Sequence, residues 1–225
     1  MPNPALLLCD SDALIQFFIA NEIRPFRLLR ENYGIQPVIV QEVDLELRWL
    51  GKHKDKFVPQ LDKALKSNTL RILDPAFFQT LLGTAPVGAS WTGFQSLGAQ
   101  YEGYIGRGEA YTFAAALTLS MPALSNDFSA IKTLEANFLT LPTPVLRGFD
   151  LLGFCFQTGD LEHTVCDAMR SELLRNGEGM PKPFMNASFQ DGLKNFSPRL
   201  KIQIGGLSIH AVAATYSTTL YITKI

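Results

Sequence analysis

Four acidic residues in this chain stand where carboxyl groups can do chemistry. Asp10 follows the apolar run Leu6-Leu7-Leu8-Cys9, and Asp127 comes shortly after Ala123-Leu124-Ser125. Glu42 opens a helical pattern entered from the extended segment 37–40, and Glu109 follows Gly106 and Gly108 at the head of an alanine-rich stretch. In open α/β sheets the working crevice lies beyond the carboxyl ends of the strands, so four acids at four such mouths converge on one sheet edge. Clustered carboxylates repel one another and hold their protons to higher pH unless a cation neutralises them. An all-oxygen set of this kind suits Mg²⁺ or Mn²⁺. Each acid alone has a plainer use, since Asp caps helix N-termini and first-turn acids complement the helix dipole.

The elements that must position these acids follow from the apolar pattern. Residues 5–9 form the continuous apolar run of a fully buried strand. A helix is expected from Ser11 or Asp12 through Leu14, Ile15, Phe17 and Phe18, with Asp12 read as a capping residue. A second helix opens at Pro25 and ends near Gly34; a third carries Val43, Leu47 and Leu50; a fourth covers residues 54–66. Residues 71–74 read as a brief strand and 83–93 as a loop, and the stretch 109–119 is strongly helix-forming. Strands are expected at 121–125 and 138–141, on either side of a helix from Asp127 to about Asn137, and helices at 146–157 and 160–175.

This alternation predicts a three-layer α/β/α sandwich around a mainly parallel central sheet. The texture changes at 176–183, rich in Gly and Pro, after which 199–204 and 215–223 read as strands. The expected organisation is a core over 1–145 with an insertion at about 67–105, a helical continuation over 146–176, and a β-rich C-terminal extension over 177–225.

A 225-residue chain that is 47% apolar and 18% charged can bury a substantial core, which excludes wholesale disorder. The net charge of −1 excludes a strongly basic nucleic-acid coat but not a local basic groove. The charge is unevenly spread, at −2 over residues 1–21, +3 over 22–71, −6 over 72–181 and +4 over 182–225. An acidic middle flanked by basic stretches suits carboxylates acting on an anionic substrate, and solvated helix faces give the same pattern. Cys9, Cys155 and Cys166 lack CxxC spacing and fit reduced thiols, hence a cytoplasmic protein. No apolar run reaches the roughly 20 residues that span a bilayer, and the N-terminus reads as an opening strand instead of a signal peptide.

The motifs together resemble the PIN-domain nucleases. LLLCDSDALI is similar to their opening strand and first acid, and PVIVQEVDLEL to their second motif, a Glu on the helix after a Val/Ile segment. GRGEAYTFAAAL resembles the Gly-Glu-Ala start of the third, and PALSNDFSAIK the apolar strand and Ser/Thr-x-Asp of the fourth. Order and spacing agree across residues 5–145.

The resemblance implies that Asp10, Glu42, Glu109 and Asp127 bind Mg²⁺ or Mn²⁺, with Ser125 and Asn126 as secondary polar contacts. It implies a metal-dependent endoribonuclease acting on RNA, with an antitoxin protein as a possible partner and homodimerisation as a possible assembly. A metal-bound water would then attack the phosphodiester, with phosphate contacts from bases such as Arg48, Lys52 and Arg107. No side-chain nucleophile is needed, in keeping with His53, His163 and His210 forming no base–nucleophile arrangement.

Two rival readings stand beside this one. DSD at 10–12 is similar to the nucleophile-and-acid pair of haloacid-dehalogenase-type phosphatases, in which Asp10 attacks phosphorus and Asp12 protonates the leaving group. That reading leaves Glu42 and Glu109 unexplained. The other is a catalytically silent PIN-like module that binds RNA or protein. Trp91 and Phe94 in the 67–105 segment are read as core residues or loop anchors before base-stacking groups, and the basic tail with Phe184, Phe189 and Phe196 as an RNA surface, an edge cover or a dimer contact.

Overall fold

The computed structural model describes residues 5–49, 54–138, 144–196, 200–202, 210–211 and 220–222. Five parallel strands form the central sheet: β1 (Ala5–Cys9), β2 (Ile35–Val40), β3 (Arg71–Leu73), β4 (Ala123–Leu124) and β5 (Val145–Leu146), in the order β3-β2-β1-β4-β5. The chain builds outward from β1 to β3, then returns to lay β4 on the other side of β1. Leu8 pairs with Val38 on one side and with Ala123 on the other. The order therefore reverses between β1 and β4, which is where an open parallel sheet leaves a crevice at its carboxyl edge. Pro37 is tolerated within β2 because β3 pairs only with Val38–Val40.

Helices flank the sheet. Between β1 and β3 come α1 (Ser11–Ile19), α2 (Arg24–Tyr33), α3 (Gln41–Trp49) and α4 (Lys54–Lys66). Between β3 and β4 come α5 (Pro75–Leu81), α6 (Trp91–Glu102) and α7 (Arg107–Leu119). Helix α8 (Phe128–Phe138) joins β4 to β5, and α9 (Gly148–Gln157) and α10 (His163–Arg175) follow. The ends of α2 obey simple rules, with Pro25 in the first turn and Gly34 at φ 63° returning its N–H to Arg30 and Leu29 carbonyls. Helix α7 packs on β1, β2 and β4 as well as on α3 and α6.

Two expectations need correction. The 83–93 loop ends at Ser90, whose hydroxyl caps α6 by accepting the Gly93 N–H at 3.0 Å. Helix α6 then runs through Gly93 and Gly98 although glycine weakens helices. Tertiary contact overrides propensity there. A Cβ on Gly98 would stand 2.6 Å from the Tyr111 ring, so the missing side chain lets α6 and α7 close on one another. The fifth strand is Val145–Leu146, whereas Phe138 closes α8; residues 139–141 lie outside the described residues. Trp91 and Phe94 pack edge to face at 5.1 Å and both meet Phe78, so they anchor α6 to α5.

Gly98→Ala should therefore destabilise the chain by about 1–3 kcal/mol through overpacking. In an ordinary helix interior the same change stabilises by roughly 0.5–1 kcal/mol. A denaturant titration of the variant reads the sign directly.

After α10 the chain makes a single 3₁₀ turn at Lys182–Phe184 and a short helix α11 (Phe189–Lys194). Phe184, Phe189 and Phe196 are buried in the same core as Phe149 of α9. The Phe184 ring lies 4.7 Å from Phe149, and 5.1 Å from both Phe189 and Phe196. Beyond this, β6 (Leu200–Ile202), β7 (His210–Ala211) and β8 (Leu220–Ile222) form a separate sheet in the order β6-β8-β7, with β6 beside α9. The extension thus begins helical and apolar before any strand. Among the described residues no helix is long and apolar enough to cross a membrane. The three cysteines are free and buried, and burial pushes each thiol upward, Cys166 to about 12.

Candidate active site

Adjacent strand ends deliver the first two acidic segments. Strand β1 stops at Asp10, whose N–H donates to the Leu124 carbonyl at 2.9 Å across the crevice. Asp10 is 0% exposed. Its carboxylate caps α1 by accepting the Ser11 N–H at 2.8 Å and also accepts the Ser125 hydroxyl at 3.3 Å. Asp10 thus serves as the helix cap, one of the uses its position allows, whereas Asp12 does not. Asp12 lies in the first turn, and its carboxylate accepts the Asn126 N–H at 2.9 Å. The Asp127 N–H donates to the Ser125 hydroxyl at 3.2 Å, while its own carboxylate accepts from Ser129 and Ala130 at 2.7 and 3.0 Å. One serine hydroxyl therefore links the segments that carry Asp10 and Asp127.

Glu109 arrives from α7. Packing of that helix on β1 and β4 puts its first turn at the crevice. The Glu109 carboxyl folds back over Gly106, where a Cβ would stand 3.1 Å from its Oε2. It also hydrogen-bonds Asp127, a contact two carboxyls can make only by sharing a proton. Partial burial, that hydrogen bond and the charges of Asp127 and Asp12 push Glu109 up to about 8. Asp10 is raised well above the usual carboxylate range, first by burial and then by Asp12 and Glu109. Asp12 is raised mainly by burial.

Helix α3 carries two acids near the cluster, Glu42 and Glu46. Glu42 exerts its charge on the Tyr111 phenol. The charge of Glu46, one turn further along, helps raise Asp10, and its carboxyl fits over Gly108 so closely that a Cβ there would clash. Sequence reasoning passed over Glu46 because Glu42 stands nearer the strand. The available signal was the four-residue spacing, which puts both acids on one helix face.

Of the bases expected to meet phosphate, Arg48 is already engaged, with Nε 3.0 Å from Asp44 and a terminal nitrogen 2.8 Å from Asp62. Arg107 is open by comparison: its side chain is 62% exposed, 3.9 Å from Glu102, with its guanidinium 5.8 Å from the Tyr111 ring centroid. Lys52 lies outside the described residues.

The donor chemistry suits a hard divalent cation, because every side chain in the cluster offers oxygen and the crowded acids need positive charge. Among the described residues, however, no three His, Cys, Asp or Glu side chains form a ready-made ligand set. The acids instead accept from backbone N–H groups and the Ser125 hydroxyl.

The raised acids have a consequence for stability. Glu109 keeps its proton to about 8 in the folded chain but loses it near the ordinary carboxylate range once unfolded. Between those two values the folded state binds the extra proton, so metal-free stability falls as pH rises. Thermal melts from pH 5 to pH 8 should show this decline, and Glu109→Gln should flatten it.

No family model and no curated protein sequence matches the chain. It is similar to a chain in the crystal structure of VapBC2 from Rickettsia felis bound to a DNA fragment from their promoter. The two share 14% identity at a TM-score of 0.42, covering 63% of this chain and 98% of that one.

Proposed function

We propose that this chain is a metal-dependent nuclease that hydrolyses RNA phosphodiester bonds. The observation that carries the reading is the buried Asp10 carboxyl, placed at the sheet's switch point with Asp12, Glu109 and Glu46 all acting on it. A buried acid surrounded by acids is a destabilising arrangement that a divalent cation would relieve. The four motifs resembling PIN-domain nucleases supply the substrate class.

Asp10, Glu109 and Asp127 would hold Mg²⁺ or Mn²⁺, with Glu46 completing the set from α3 in place of the Glu42 expected from sequence. When bound, the ion supplies an acidified water and neutralises charge on the phosphate. Ser125 keeps Asp10 and Asp127 in register through its single hydroxyl. Asp12 fixes the β4–α8 turn by accepting the Asn126 N–H. Arg107, exposed at the N-terminal end of α7, would meet a phosphate.

A silent RNA- or protein-binding module is favoured by one observation, the lack of three grouped ligands among the described residues. Purified protein incubated with single-stranded RNA decides between the two. Cleavage in Mn²⁺ that EDTA abolishes and Asp127→Asn removes supports the nuclease. RNA binding without cleavage supports the module.

A further inference from the structure

The turn that joins α6 to α7 presents an aromatic ring to solvent just before the first turn that carries Glu109. Tyr104 stands between Gly103, the C-cap of α6, and Gly106, the N-cap of α7. It is 52% exposed, whereas Tyr101 and Tyr111 on either side of it in the chain are buried. The ring is held in place. It meets Phe138 of α8 edge to face, with 5.2 Å between centroids and 85° between planes, and Phe138 meets Tyr101 at 4.8 Å. Phe138 in turn packs against the hydrophobic core. The backbone is pinned as well, because the Tyr104 and Ile105 N–H groups both donate to the Tyr101 carbonyl, at 2.9 and 3.2 Å.

A singly exposed aliphatic side chain is ordinary on a protein surface. An exposed ring braced by a second ring is different, because it offers a flat apolar surface that loses little side-chain freedom when covered. An edge-to-face contact covers at most one face of the Tyr104 ring and leaves the other for a planar group. Arg107, three residues on, indicates which group. Its guanidinium is 62% exposed, 3.9 Å from the exposed Glu102 carboxylate and 5.8 Å from the Tyr111 ring centroid. Ion pairs this exposed are weak, so the cation is available to another anion. Glu109 of the acid cluster follows two residues later. The five residues from Tyr104 to Glu109 span at most about 18 Å, so ring, cation and acids lie within reach of one short strand. An aromatic face beside a cation suits an unpaired nucleic-acid strand, which lays a base on the ring and a phosphate on the charge.

We propose that Tyr104 stacks on one unpaired base of the RNA, a few nucleotides from the cleaved bond, while Arg107 meets a phosphate of the same strand. The proposal rests on the nuclease reading and adds to it a requirement for single-stranded substrate. Every base has a face to stack, so Tyr104 sets where the strand lies and not which sequence is cut.

The test keeps binding apart from cleavage. In EDTA, full-length protein is titrated into a fluorescein-labelled single-stranded RNA, its duplex, and a set of strands that each carry one abasic position. The single strand should bind more tightly than the duplex. One abasic position should weaken binding at least ~5-fold, the low end of what base–aromatic stacking is worth. Tyr104→Ala, which melts like the wild type if the ring is a surface group, should weaken the intact strand by a similar factor. In that variant the same abasic position should cost nothing further, because the two changes remove one contact. Tyr104→Phe should bind like the wild type. In Mn²⁺, Tyr104→Ala should raise KM far more than it lowers kcat. An abasic position that costs the same in wild type and Tyr104→Ala, or a wild type that binds no single-stranded RNA, overturns the proposal. RNA cleavage by Tyr104→Ala with the wild-type KM rejects the stacking site, leaves the nuclease standing and assigns the ring to a protein contact. The abasic coupling without cleavage keeps the stacking site and rejects the nuclease.

Discussion

Asp10→Asn should abolish RNA cleavage while making the metal-free protein more stable. The substitution removes one charge and almost no volume from a fully buried position. In the proposed nuclease, losing a carboxylate that would hold the charge-neutralising metal would remove several kcal/mol of transition-state stabilisation, a loss of at least ~10³-fold in rate. The stability effect has the opposite sign because burial, Asp12 and Glu109 all oppose the ionised form of Asp10. An asparagine oxygen can still accept from Ser11. Relief of about 1 kcal/mol would raise the melting temperature by ~2–4 °C at pH 8 for a chain of this length. Activity and melting must be measured on the same preparation, since an Asp10 with a purely structural role would lose stability together with activity.

Phe184→Ala should be the most damaging change outside the sheet. Phe184 is 0% exposed and lies between Phe149, Phe189 and Phe196. Gly192 of α11 approaches its ring so closely that a Cβ there would stand 2.5 Å away. Little can relax into the space left behind, so the truncation should cost about 3–5 kcal/mol. A single cooperative unfolding transition, shifted as a whole, is expected in denaturant. Separate transitions for the residues before and after 176 would show instead that the tail folds independently.

How much of this was legible in the sequence depends on whether local pattern and tertiary context agree. Strand β1 was readable because a strand buried on both faces is a plain apolar run, and α7 because alanine propensity and burial point the same way. Helix α6 was hidden because Gly93 and Gly98 look like breakers until Tyr111 is brought against them. The two-residue strand β5 is too short to carry any period, and it follows Pro142 and Pro144, which read as a turn. The three tail phenylalanines carry no helical or strand spacing, so nothing local shows that they join the core.

Within the site, Asp10 and Asp127 were legible as acids at strand ends, a placement that needs only the order of elements. Which of Glu42 and Glu46 joins them depends on how α3 is turned against α7, which no local pattern encodes. The bond from the Gln16 amide to the Gly179 carbonyl was equally hidden, because it joins residues 163 apart in the sequence.

The central claim is that Asp10, Glu109, Asp127 and Glu46 together hold one divalent ion. Calorimetric titration of Mn²⁺ into the wild type at pH 8, with Glu46→Gln and Glu42→Gln in parallel, tests it most directly. Saturable binding with proton release, weakened by Glu46→Gln and unchanged by Glu42→Gln, is the predicted result. A wild type that takes up no Mn²⁺, or releases no protons on doing so, contradicts the account.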